Sequence, residues 1–252
     1  MAGSPTKRTF VADDGVELAW HELGEGRPVV LLHGLFSNAA TNWLKFGHAA
    51  TIAATGFRVI MPDLRAHGDS ASPRDPAFYP PDILADDGLA LIAHLGLIDY
   101  DLGGYSLGAR TCVRMVVRGA QPRRLIIAGM GLDGMIDTGA RGDHFKHILN
   151  GLGTHPRGSP EWMAEAFLKT TGGDPEALLP LIESFVDTSR AQLRAISMPT
   201  LVLAGEDDQD NGSAAALAAA IPGATFQSVP GNHMRAVTKA DLGEAMAAFL
   251  AD

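Results

Sequence analysis

The sequence predicts an α/β protein with a mostly parallel central sheet, flanking helices and an inserted helical cap. Two observations carry this. Short apolar, β-branched runs alternate with longer helical stretches, the pattern of strand–helix–strand units laid into one sheet. The alternation is suspended once, over residues 131–196, where no run reads as a strand. The expected organisation is therefore a core of residues 1–130 and 197–252 with a cap of residues 131–196 between its two parts.

Taken in order, the first elements are two short strands at residues 9–11 and 16–20, joined by Asp13-Asp14-Gly15, a dipeptide-Gly turn suited to an antiparallel hairpin. Compact apolar runs at 29–32, 58–61, 100–102, 125–128 and 201–204, each bounded by Gly, Pro or charge, read as strands buried on both faces of a parallel sheet. Helical patterns fall between and after them at 40–55, 82–95, 107–118, 213–220 and 239–250. Within the cap, Ser159-Pro160-Glu161 and Asp174-Pro175-Glu176 each place a capping oxygen before a proline at the first helical position. Trp162, Met163, Phe167, Leu178, Leu179, Ile182 and Phe185 supply the apolar faces of these helices.

Composition narrows the function classes. Of 252 residues, 46% are hydrophobic and 19% charged, which suits a folded globular chain, and the net charge of −9 with no basic stripe speaks against nucleic-acid partners. No apolar run reaches the length of a membrane span. The N-terminal stretch 1–10 lacks the apolar segment of a secretory signal, so a cytoplasmic address is expected. The single cysteine, Cys112, lies in an apolar helical pattern and reads as buried filler. No glycine-rich phosphate loop is present. Asp143, His144 and His147 have a spacing that could ligate a metal, but a surface group is the plainer reading, so neither cofactor nor metal is expected.

The residues that carry chemistry begin at Gly104-Tyr105-Ser106-Leu107-Gly108, directly between an apolar strand and a helical run. A serine at such a junction is held clear of the sheet at a helix N-terminus, and the two glycines leave room where side chains would strike the neighbouring strand and helix. A serine hydroxyl needs a base, and His233, in Pro230-Gly231-Asn232-His233-Met234, is the only histidine C-terminal to residue 155. An acid must orient that base. Gly205-Glu206-Asp207-Asp208-Gln209-Asp210 offers Asp208 and Asp207, with Asp133 a more remote candidate. Two backbone N–H groups are needed for an oxyanion, and Leu107, after the serine, and Leu35, in His33-Gly34-Leu35-Phe36, stand where they can supply them. His33 is then a structural residue of that loop.

Over residues 10–250 the sequence resembles the α/β-hydrolase superfamily, on His33-Gly34-Leu35-Phe36, Asp63-Leu64-Arg65-Ala66-His67-Gly68-Asp69-Ser70, the serine elbow, Gly205-Glu206-Asp207-Asp208 and Gly231-Asn232-His233. The resemblance implies a helical cap over the site and puts the triad acid on the fourth residue of its turn, Asp208. Ala66 and the pair Ala109-Arg110 depart from the family's small residues. With Ser106 at the elbow, nothing suggests the aspartate nucleophile of epoxide hydrolases.

The expected activity is serine hydrolysis of a small, largely apolar ester, thioester or lactone, because the cap is apolar and basic residues are scarce near the landmarks. Candidate pocket side chains are Phe36, Tyr105, Met130, Trp162 and Met234. Carbon–carbon bond hydrolysis, perhydrolase chemistry, or a low-turnover receptor for a small molecule would use the same residues. The partner expected is a small-molecule substrate, and the oligomeric state is left open.

Overall fold

A computed structural model describes residues 3–252; Met1 and Ala2, the first of the N-terminal stretch considered above, lie outside them. Eight strands, β1 (Thr6–Val11), β2 (Glu17–Leu23), β3 (Arg27–Leu32), β4 (Phe57–Pro62), β5 (Asp101–Tyr105), β6 (Leu125–Ala128), β7 (Thr200–Gly205) and β8 (Thr225–Val229), form one sheet in the order β1-β2-β4-β3-β5-β6-β7-β8. The β1–β2 and β2–β4 pairs are antiparallel and all others parallel, so the sheet opens with the expected hairpin and continues in parallel.

Buried faces explain the sequence pattern. β5, β6 and β7 have no exposed residue, which is why β6 and β7 read as apolar runs rather than as alternating ones; β5 carries one buried charge, Asp101, paired with Arg27. One apolar cluster fills the side of Leu32, Leu102 and Ile127, and a second fills the side of Leu31, Ile126 and Leu203. β8 is the exception: four of its five residues are exposed, as befits an edge strand.

The core helices are α1 (His48–Ala53), α2 (Ile83–His94), α3 (Leu107–Val117), α9 (Ala214–Ala220), α10 (His233–Ala236) and α11 (Ala240–Ala251). The helix expected over 40–55 is divided. A short turn of π-helix covers Ala40–Leu44, and Gly47, at φ 81°, breaks the chain before α1. No other residue type takes that backbone so cheaply.

Between β6 and β7 the chain forms the cap from α4 (Leu132–Ile136), α5 (Gly139–Asn150), α6 (Pro160–Thr171), α7 (Pro175–Glu183) and α8 (Arg190–Arg194), with no strand among them. Ser159 accepts from the Trp162 amide and Asp174 from the Glu176 amide, each ahead of a proline in the first turn, as the sequence indicated. Leu178 and Ile182 are buried and join the main apolar cluster. No helix among the described residues is long and apolar enough to cross a membrane.

Candidate active site

Three loops at the C-terminal ends of parallel strands converge. The first is the turn from β5 into α3, where Ser106 adopts φ 53° and ψ −115°. A non-glycine residue there is strained. The neighbours hold it in place: a Cβ on Gly104 would stand 2.4 Å from the Gly108 carbonyl carbon, and one on Gly108 would stand 2.1 Å from the Leu32 carbonyl oxygen. Both obstacles are backbone, so neither glycine can be replaced without moving the strand and helix apart.

The other two loops bring the partners. His233 begins α10, whose N-cap Asn232 accepts from the Arg235 amide. The His233 Nε2 lies 3.1 Å from the Ser106 Oγ, and its Nδ1 lies 2.8 Å from the Asp208 Oδ2. Asp208 follows β7 and is 8% exposed, whereas Asp207 and Asp133 are exposed and make no hydrogen bond to His233. The arrangement is a continuous relay from carboxylate to imidazole to hydroxyl. It can remove the proton of Ser106 and stabilise the imidazolium that results.

The loop after β3 supplies a second wall. Leu35 flanks Ser106, and no acceptor within the described residues engages its amide. Leu107 opens α3, so its amide has no partner four residues back in the helix.

Two buried histidines fix the Leu35 loop. The His33 Nδ1 bonds the Gly34 carbonyl at 2.8 Å while its Nε2 accepts from the Leu64 amide at 2.9 Å. The His67 Nδ1 bonds the Arg65 carbonyl at 2.9 Å while its Nε2 accepts from the Phe36 amide at 3.2 Å. Each ring therefore donates through Nδ1 and accepts through Nε2, which requires the neutral form. Burial lowers the pKa of both, that of His67 to about 3. Arg65, fully buried, binds Asp87 with two nitrogens and Asp14 with a third contact, clamping the segment that carries His67. Ala66 sits at φ 65° in this segment, the position where the family resemblance led to a smaller residue.

Ser106 stands between two cavities. The larger has a volume of about 260 Å³ and is lined by Tyr105, Phe167, His233, Met234 and Val237, among others. The narrower has a volume of about 30 Å³ and is lined by Leu107, Arg110, Met130, Arg141, Phe145 and Phe185, among others. Tyr105, Met130 and Met234 thus line the site as expected. Phe36 and Trp162 line neither cavity. Phe36, at φ 61°, turns into the core with its ring 5.5 Å from that of Phe145, and supports the cap from beneath. Trp162 is half-buried on α6, and it is Phe167 on the same helix that lines the cavity.

Arg110 and Arg141 correct the expectation of a site poor in basic residues. Arg110 lies one helical turn beyond Ser106 and so shares its face. Arg141 arrives from α5, a placement no local pattern announces. Asp143, His144 and His147 do not gather as a metal site: Asp143 pairs with Lys146 at 2.9 Å. Among the described residues the one trio of potential ligand atoms is His21, Asp63 and Asp69. There Asp63 already accepts the amides of Ala39 and Asp69.

With this geometry in hand, similarity to known proteins can be stated. The model of the alpha/beta hydrolase family matches residues 29–244. A non-heme chloroperoxidase of Kitasatospora aureofaciens is 30% identical over 230 residues, covering 78% of this chain and 79% of that protein. A non-heme haloperoxidase of Rhodococcus erythropolis is 28% identical over 79% of this chain and 81% of its own length. Among solved structures, a hydrolase from Pseudomonas aeruginosa superposes with a TM-score of 0.78 at 23% identity, covering 97% of both chains.

Proposed function

Because the chain belongs to the alpha/beta hydrolase family, we propose that it is a serine hydrolase that cleaves a small carboxylic ester, thioester or lactone through an acyl-enzyme. The observation that carries this reading is the relay Asp208–His233–Ser106, with contacts of 2.8 and 3.1 Å, opening onto two cavities.

The Ser106 Oγ attacks the carbonyl carbon and its proton passes to the His233 Nε2. Asp208 holds the ring through Nδ1 and favours the imidazolium. The carbonyl oxygen, now an anion, takes the amides of Leu35 and Leu107. As the tetrahedral species collapses, the proton on Nε2 goes to the leaving oxygen or sulfur. Water then attacks the acyl-enzyme, gives a proton to Nε2 and releases the acid as that proton returns to Ser106.

A second reading has one observation in its favour, the similarity to a non-heme chloroperoxidase and a non-heme haloperoxidase. Hydrogen peroxide attacking the same acyl-enzyme in place of water would release a peroxyacid.

The test is a panel of 4-nitrophenyl esters from acetate to octanoate on the wild type and Ser106→Ala. The wild type should hydrolyse the panel with a chain-length preference, and the variant should lose activity on the order of a million-fold. Equal rates for the two proteins would remove Ser106 from the chemistry. Adding hydrogen peroxide and assaying peroxyacid tests the second reading.

A further inference from the structure

Arg110 lines the narrower cavity beside Ser106, and its protein contacts do not account for its burial. It is 6% exposed. Its Nη2 donates to the Val186 carbonyl at 2.7 Å and its guanidinium lies 4.6 Å from the centre of the Phe185 ring. Its Nε is buried without a partner, and no carboxylate among the described residues comes within ion-pair distance of it. The nearest acids are committed elsewhere. Asp82 is held by Arg114 and Arg118, and an Asp187 carboxylate oxygen accepts the Thr138 amide. Burial pushes the Arg110 pKa down to about 10, which still leaves it charged at neutral pH. Asp187 and Asp82 act on it only from beyond contact distance; a buried cation with no carboxylate in contact is expensive, and such groups are kept where something supplies the charge.

Arg141 repeats the arrangement across the same cavity. Its guanidinium lies 4.8 Å from the Phe145 ring centre and its Nε is also buried without a partner. Among the described residues its one ion pair is with Asp210, at 3.2 Å.

We propose that Arg110 and Arg141 form a carboxylate-binding subsite for the acyl half of the substrate, so that the ester hydrolysed carries a second, free carboxylate on its acyl chain. The inference rests on the serine-hydrolase reading above and adds the class of substrate. The side follows from the proton's path. His233 lines the larger cavity and not the arginine-lined one. The leaving oxygen must face His233 to receive its proton, so the leaving group occupies the larger cavity and the acyl chain the narrower one. A planar carboxylate offers two oxygens to the two guanidiniums that line the narrower cavity.

The experiment compares the mono-4-nitrophenyl ester of adipate with its methyl diester, which differ only in the free carboxylate. In the wild type, kcat/KM should favour the acid on the order of 10- to 100-fold. The ratio should fall to about one in Arg110→Met and should recover in part in Arg110→Lys. Reading the ratio within each protein cancels any general loss of activity, and Arg141→Gln, at a more exposed position, should lower the ratio as a second check. Moving the charge to the leaving group, with 4-carboxyphenyl butyrate against its methyl ester, should give no preference. A wild-type ratio of one or less, or a ratio that survives in Arg110→Met, overturns the proposal. A binding arm separates this from the mechanism: in Ser106→Ala, calorimetry should detect monomethyl adipate binding that weakens tenfold or more when Arg110→Met is added. If no ester turns over, the hydrolase reading fails and the binding arm alone decides; equal affinity for monomethyl and dimethyl adipate then overturns the subsite.

Discussion

The Tyr105 hydroxyl donates to the main-chain carbonyl of His233 at 2.5 Å, and the two rings lie 5.3 Å apart. The residue before the nucleophile thus holds the backbone of the base. Burial raises the phenol's pKa well above its usual range, so the group stays a donor at every working pH. Tyr105→Phe leaves the aromatic contact and removes the tether. Its expected effect is a fall in kcat of about tenfold with KM for a short ester nearly unchanged, and a loss of about 1–3 kcal/mol in stability for the orphaned carbonyl. Steady-state kinetics with urea unfolding of both proteins checks this; an unchanged kcat would reduce Tyr105 to a packing residue.

The two neighbouring acids should separate cleanly. Asp208→Asn removes the acceptor that fixes the His233 tautomer and should lower kcat by about 10⁴-fold. Asp207→Asn, at an exposed position without a bond to the ring, should stay within about twofold. If Asp207→Asn produced the larger loss, the relay would have to run through the other carboxylate.

The neutral histidine pair sets a pH dependence. The pKa of His67 falls from its ordinary 6.5 to about 3 on folding. Below pH 6.5 the unfolded chain therefore binds a proton that the folded chain refuses. The stabilisation is complete above that value and is lost progressively as the pH falls towards 3, with a slope of up to about 1.4 kcal/mol per pH unit for each such histidine. Burial shifts His33 in the same direction. Urea unfolding at pH 7, 6 and 5 should show the decline, and His67→Gln, which keeps a donor and an acceptor but does not titrate, should flatten it by up to one proton. Parallel slopes in the two proteins would show that His67 does not carry the effect.

The sheet and the relay were legible in the sequence because both rest on local rules. A strand buried on two faces must be apolar throughout, a serine elbow must have small residues two before and two after, and a helix beginning with Ser-Pro or Asp-Pro announces its own start. Asp208 needed the family resemblance, since its loop offers several acids and only burial tells them apart. Arg110 and Arg141 were missed for a different reason. They are 31 positions apart in sequence, and what makes them notable is a buried Nε without a partner on each, which no local pattern records. Arg110 was visible only as an oddity beside the elbow. Phe36 and Trp162 stand outside both cavities because the side chain's direction, set for Phe36 by a backbone at φ 61°, is not recorded in residue type.

Arg141 does more than face the cavity. Its outer edge holds Asp210, whose amide in turn donates to Asp208 Oδ1 at 3.2 Å. The roof that selects the substrate and the loop that tunes the base are consequently mechanically joined through one aspartate. An evolutionary change that refits the roof to a bulkier acyl chain would disturb the electrostatics of proton transfer at the same stroke. If the proposed roles hold, selectivity and speed are coupled through this contact, and a laboratory redesign of either would do well to vary residues 141 and 210 as a pair.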